Sequence, residues 1–209
     1  LMTGKFSHYA DTVAASWFWA RIKKRTPSLA YIEGGFQTVI NALAQAIKKN
    51  GGKIYLNTSI NKLVQLDKFD KILLTIPTPL ITKLVPNLAD ELKESLTIPH
   101  LHAQVLILET NEPILNDVYW LNVTDKTFPF LAVVTHTNFM DKKHYGGKHI
   151  TYIGNYLPFD HPFLKLTKDQ LLQKFLPFLQ KINPTMNPAL PAGRYKPLTI
   201  HSYLFNAPF

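Results

Sequence analysis

Cysteine is absent from the 209 residues. Its absence removes disulfides, thiolate metal sites and thiol nucleophiles from the available chemistry, and fits a reducing, cytoplasmic compartment. No apolar run approaches the roughly 18 residues that a membrane-spanning helix needs. Acidic residues are scarce: 14 Asp and Glu stand against 23 Lys and Arg, a formal charge of +9. That balance favours anionic partners such as nucleic acid, phosphates or a membrane surface. Only Arg21 to Arg25 forms a basic cluster, however, and the other cations are scattered, as on an ordinary solvated surface. No nucleic-acid recognition motif accompanies the charge, so nucleic acid is not expected as a partner. Peripheral contact with a membrane surface stays open. Repeats and low-complexity tracts are also missing, and 46% hydrophobic and 12% aromatic residues exclude a disordered or fibrous chain.

What is present is organised around residues 31–77. Phe36, Val39, Ile40, Leu43 and Ile47 recur at the spacing of a buried helical stripe. Lys48 and Lys49 suit the last turn, and Gly51 suits a left-handed helix end. Gly34 and Gly35 leave the amides of the first turn uncovered, so a backbone or an anion could approach. The helix is followed by strand-like runs. Ile54 and Leu56 alternate with polar residues, Ile60, Leu63 and Val64 continue the pattern, and Lys71 to Ile76 is nearly all apolar before Pro77. Extended runs on either side of a helix suggest a crossover unit of an α/β domain.

The order Gly34-Gly35-Phe36, helix, Gly51-Gly52-Lys53-Ile54, Asn57 to Leu63, Phe69-Asp70-Lys71-Ile72, Thr75-Ile76-Pro77 resembles the FAD-dependent amine oxidases. Protoporphyrinogen oxidases and phytoene-type desaturases share that layout. The resemblance implies that residues 31–77 are the second segment of a split FAD-binding domain. It also implies that Ile60 meets the adenine end through its backbone, with Gly34, Gly35, Thr75 and Pro77 as further cofactor contacts. Two family features are missing, the G-x-G-x-x-G that cradles a pyrophosphate and the acidic-glycine segment that closes the flavin site. The chain also opens Leu1-Met2. The expectation is therefore the central part of a longer flavoenzyme, unable to hold FAD alone.

Elsewhere the pattern predicts a helix from Tyr9 to Lys24 with Ala10, Val13, Ala14, Trp17 and Ala20 on one face. Short helices are expected over 78–85 and 88–96. Strands are expected over 102–109, 118–123, 130–136 and 149–155, and short links between them suggest a consecutive antiparallel meander. Thr167 and Gln170 form a capping box before a helix buried through Leu171, Leu172, Phe175 and Leu179, with a kink or break at Pro177. A last strand is expected from Pro197 to Asn206. The fold class is α+β: an α/β piece followed by a mainly antiparallel sheet with flanking helices. Residues 1–30 are expected as a helix of the substrate domain, 31–77 as the FAD segment and 78–209 as the substrate-binding domain.

The candidate chemistry is modest. His100 and His102 share one face of a strand, but with no cysteine and few nearby carboxylates a metal site is not expected. No G-x-S-x-G elbow supports a serine triad. His136, Thr137 and Asn138 close an apolar strand and compete between a pocket wall and an ordinary turn. Arg21 could meet an anionic group or simply complement its helix end. Trp17 and Trp120 suit either a cavity or a core. The substrate-binding set is Trp17, Arg21, Trp120, His136, Asn138 and Tyr156, around a small-molecule substrate that is largely apolar or aromatic. The resemblance implies oxidation of a C–N or C–C bond by hydride transfer to flavin. A non-redox flavoenzyme such as a sugar-nucleotide mutase, and a non-enzymatic ligand-binding module, are the alternatives.

Overall fold

The computed structural model describes residues 2–88, 90, 92, 96, 100–186 and 200–208. The chain divides into two compact units, residues 1–13 with 100–209, and residues 14–99.

The first unit is built on one five-stranded sheet. Its strands are β1 (Leu101–Thr110), β2 (Trp120–Asn122), β3 (Ala132–Thr135), β4 (His149–Pro158) and β5 (Ile200–Pro208). All neighbours are antiparallel in the order β2-β3-β4-β1-β5. The expected consecutive meander holds for β2, β3 and β4 only. β1 instead lies between β4 and β5, because the two ten-residue strands pair along their full length, Leu101 with Pro158 through Thr110 with His149. The three-residue β2 is left at an edge, where short strands suit.

Alternation divides the sheet into two faces. Gln104, Leu106, Leu108 and Thr110 of β1, with Thr151, Ile153, Asn155 and Leu157 of β4, are buried on one side. Helix α5 (Lys168–Ile182) follows α1 (Met2–Phe6), α2 (Ala15–Lys23), α3 (Phe36–Lys49) and α4 (Thr78–Leu84) in the chain. It brings Leu171, Phe175 and Leu179 onto Leu106, Leu108, Val133 and Ile153, and Phe130, Ile114 and Met186 complete the core. Each such side chain contributes about 1.5–3 kcal/mol by leaving water. Thr167 caps α5, its hydroxyl accepting from the Gln170 amide while the Gln170 side chain accepts from the Thr167 amide. Leu172 is half-buried rather than buried, and Pro177 does not break the helix. The opposite face of the sheet carries Ala103, Val105, Ile107, Val134, Tyr152, Gly154 and Tyr156, and α1 lies against it at β4.

The expected helix from Tyr9 to Lys24 is two pieces. Residues 7–9 form a 3-10 turn, and α2 begins only at Ala15. The Tyr9 carbonyl accepts from the Thr12 amide, the Thr12 hydroxyl and the Val13 amide, so a local turn competes with helix propagation there.

In the second unit α3 follows the pattern closely at its C-terminal end. Gly51 adopts φ 81°, its amide donates to Lys48, and the Gly52 amide donates to Ile47, which closes the helix with a Schellman motif. The expected burial of its apolar stripe is not observed: Val39 is half-buried, whereas Phe36, Ile40, Leu43 and Ile47 are exposed. None of the described residues of this unit is buried. The runs at 53–57, 60–64 and 71–76 also form no strand; residues 63–66 are a 3-10 turn, and Leu73 is 88% exposed. A strand exists only where a neighbour completes its ladder, and no described residue of this unit does so. α4 forms as expected after Pro77, whereas most of the helix expected over 88–96 and the start of the last strand, 197–199, fall outside the described residues.

Candidate functional site

The half-buried face of the sheet gathers most of the polar and aromatic candidates of the first unit. Register sets them in rows: Trp120, Val134, Tyr152, Ile107 and Tyr203 lie side by side, and Asn122, Ala132, Gly154 and Val105 form the next row. Trp120 is 54% exposed, and its indole Nε1 donates to Asn122 Oδ1 at 2.9 Å. Tyr156 is half-buried two residues beyond Gly154. Lys5 of α1 reaches it, with Nζ 3.4 Å from the Tyr156 hydroxyl and 4.5 Å from the ring centroid.

His136 follows β3 on the same side as Val134 but is only 2% exposed. Its Nε2 and the Tyr145 hydroxyl share a 2.5 Å hydrogen bond. Its ring meets Tyr145 and Tyr152 edge-on, at centroid distances of 5.2 and 5.7 Å. Burial holds the imidazole below the ordinary histidine range. A neutral imidazole bonded to a phenol can hold or pass one proton, and it also fixes the Tyr152 ring at the border of the open face.

The link that carries Tyr145 is fastened by its own polar residues. Asn138 donates to the carbonyls of Leu115 and Val118 at 2.8 and 3.1 Å. Those bonds tie down the β1–β2 connection, so Asn138 acts as a buttress in this structure. Thr137 accepts from the Ile150 amide, Asp141 caps the turn at 142–145 by accepting from the Lys143 amide, and Gly146 closes it at φ 63°. His102 keeps a buried Nδ1 without a hydrogen bond, and no group of three His, Cys, Asp or Glu among the described residues is placed to hold a metal ion.

Trp17 and Arg21 lie on α2 in the second unit, Trp17 half-buried and Arg21 exposed. The cofactor candidates are also in that unit. Gly34 and Gly35 adopt φ 78° and 79°, and the Gly35 amide donates to Ile32 at 2.8 Å. A side chain on Gly34 would stand 2.7 Å from Thr38 Oγ1, so both glycines are required by the turn. α3 then begins with no side-chain cap, which leaves first-turn amides facing outward at the positive end of the helix dipole. Ile60 is exposed and lies outside any helix or strand, and its amide has no hydrogen-bond partner among the described residues. Thr75 is exposed, and the Pro77 carbonyl opens α4 by accepting from Leu80.

Tyr145, Tyr152, Gly154 and Lys5 were not among the residues singled out from sequence. Gly154 had a visible signal, a single glycine inside the apolar run 150–157, and Tyr152 and Tyr156 share its parity. Lys5 and Tyr145 reach the site through non-local packing.

An antiparallel sheet covered by a helix on one face, with a second unit of helices and turns, is an α+β build. The fold is similar to that of a candidate protoporphyrinogen oxidase from Exiguobacterium sp. 255-15, with a TM-score of 0.63 at 16% identity over 87% of this chain and 41% of that one. An oxidoreductase from Methanosarcina mazei gives a TM-score of 0.49 at 19% identity, over 81% of this chain and 42% of that one. The chain thus spans less than half the length of either protein. No curated protein matches the sequence at a significant level. The model of the flavin containing amine oxidoreductases matches residues 4–203, and the chain belongs to that family.

Proposed function

We propose that this chain is the central part of an FAD-dependent oxidoreductase that acts on a C–N or C–C bond of a largely apolar or aromatic small molecule. The observation that carries the reading is the family match over residues 4–203. When bound, the flavin supplies the hydride acceptor. The residues present fit such a group: two left-handed glycines lead into an uncapped helix, and Ile60 offers an amide that no described residue occupies. Gly34, Gly35, Ile60, Thr75 and Pro77 would hold it. The exposed apolar stripe of α3 would pack on the remainder of the cofactor domain.

In this reading the open face of the sheet binds and orients the substrate. Trp120 and Tyr156 offer aromatic surface, Tyr152 is held by His136, and the His136–Tyr145 pair retains a proton away from water. Few charges lie on this face, which suits an apolar ring better than a polar substrate. Contact with a membrane surface stays part of the proposal through the cluster Arg21 to Arg25; among the described residues no helix is long and apolar enough to cross a membrane.

Two measurements on the full-length protein test the assignment of roles. Ile60→Pro, which removes the amide, should release FAD, whereas Ile60→Val should retain it. FAD held equally by a folded Ile60→Pro protein counts against the cofactor assignment. Trp120→Ala should lower kcat/KM by about tenfold or more, the loss of one aromatic contact being worth roughly 1.5–3 kcal/mol. Unchanged kinetics would remove Trp120 from the substrate face.

A further inference from the structure

A glycine in the middle of a long central strand calls for a physical reason. Gly154 sits at the sixth position of ten-residue β4, where a glycine weakens a strand through lost packing and greater chain entropy. Three explanations account for such a residue: a bulge, a backbone conformation that only glycine adopts, or close approach of another body. Pairing with β1 is unbroken from His149 to Pro158, and pairing with β3 is unbroken from Ala132 to Thr135, so there is no bulge. Gly154 is also not among the residues with positive φ. A side chain built on it would meet no atom of the described residues within 4 Å, so no described backbone claims the space. Close approach by a body outside the described residues is what these observations leave, and a ligand on the substrate side is such a body.

Its surroundings define that ligand. Tyr152 and Tyr156 flank Gly154 along the strand on the same face, and small Ala132 lies directly across it on β3. A flat floor between two phenol rings suits a planar aromatic ring. Lys5 carries its ammonium to the Tyr156 end, where an acidic substituent would find a charged donor.

We propose that Gly154 is the floor of a seat for a planar aromatic ring bearing an acidic group, with Lys5 meeting the acid. The proposal rests on the reading of this face as the substrate side and names the substrate class it would take.

The test is calorimetric titration of the full-length protein with 2-naphthoate and 2-naphthamide, rings of one shape that differ in charge. Wild type should bind the naphthoate about tenfold tighter than the amide. Gly154→Val should weaken both by at least tenfold while the melting temperature holds or rises, since a β-branched residue suits a strand and no strained φ opposes it. Gly154→Ala should fall between. Lys5→Met should keep naphthamide binding and lose the preference for the naphthoate. Failure of wild type to bind either probe overturns the proposal, as does Gly154→Val binding like wild type. A Gly154→Val protein that melts far below wild type also overturns it, because protein atoms would then fill the space. A naphthoate preference that survives Lys5→Met overturns the role of Lys5. Flavin absorbance of the same samples separates the two readings. Flavin retained with probes indifferent to Gly154 contradicts the seat alone. Probes governed by Gly154 in a protein that takes up no flavin contradict the flavoenzyme alone.

Discussion

At the scale of single residues, burial decides chemistry more than identity does. His136, His149 and His161 are all held below the ordinary histidine value of 6.5, in each case chiefly by burial; Lys142 adds to the effect at His149, while Glu112 and Asp160 oppose it at His149 and His161. A histidine with a lowered folded pKa binds fewer protons than its unfolded counterpart. Its contribution to stability is therefore complete above the unfolded value and is lost as pH falls below it toward the folded one. The urea midpoint of the sheet unit should decline between pH 7.5 and pH 5, and His136→Gln should reduce that decline. A midpoint independent of pH would contradict the burial of these imidazoles. A second residue prediction concerns Thr135 and Thr151, which face each other across β3 and β4 with buried hydroxyls that have no partner among the described residues. Replacing an unsatisfied hydroxyl by a methyl removes a desolvation cost of about 1–3 kcal/mol. Thr135→Val/Thr151→Val should accordingly raise the urea midpoint, and a lowered midpoint would show that the hydroxyls are satisfied. Alternation in the sequence was enough to put Trp120 and Asn122 on one face. It could not show that His136 would be enclosed by Tyr145 and Tyr152, or that Asn138 would bond two main-chain carbonyls, because Tyr145 comes from the following link, Tyr152 from β4 and the carbonyls from the β1–β2 connection.

Among elements, those with local instructions were legible. The Thr167–Gln170 box and the Gly51-Gly52 stop mark α5 and α3 in sequence and are built as written. The periodic Leu171, Phe175 and Leu179 likewise place α5 on the sheet. Phe175 is central there, with Phe130 at 5.1 Å and Phe163 at 6.1 Å between ring centroids. Phe175→Ala should destabilise the unit by about 3–5 kcal/mol in equilibrium unfolding; a loss under 1 kcal/mol would mean that the core closes without it. Elements that depend on distant partners were not legible. Residues 71–76 have the composition of a buried strand, yet a strand needs a neighbour for its ladder, and composition does not say whether one is present. The position of β1 between β4 and β5 is likewise set by matching lengths across the chain, which short links between strands do not reveal.

For the whole molecule, the contrast between the two units is the main fact. One has a closed core of leucine, isoleucine and phenylalanine, and the other buries none of its described residues. Hydrogen exchange of the 209-residue chain should therefore show its slowest amides in β1 and β4 and near-free exchange over 53–76; strong protection of 71–76 would show that those residues do pair. In the proposed reading the open second unit carries the residues that would hold the cofactor, which is why the account turns on the flavin. The most direct measurement is release and mass identification of the cofactor from purified full-length protein. The account predicts a yellow protein that yields FAD at about one per chain. A protein that remains colourless after incubation with FAD, while folded by circular dichroism, would contradict it.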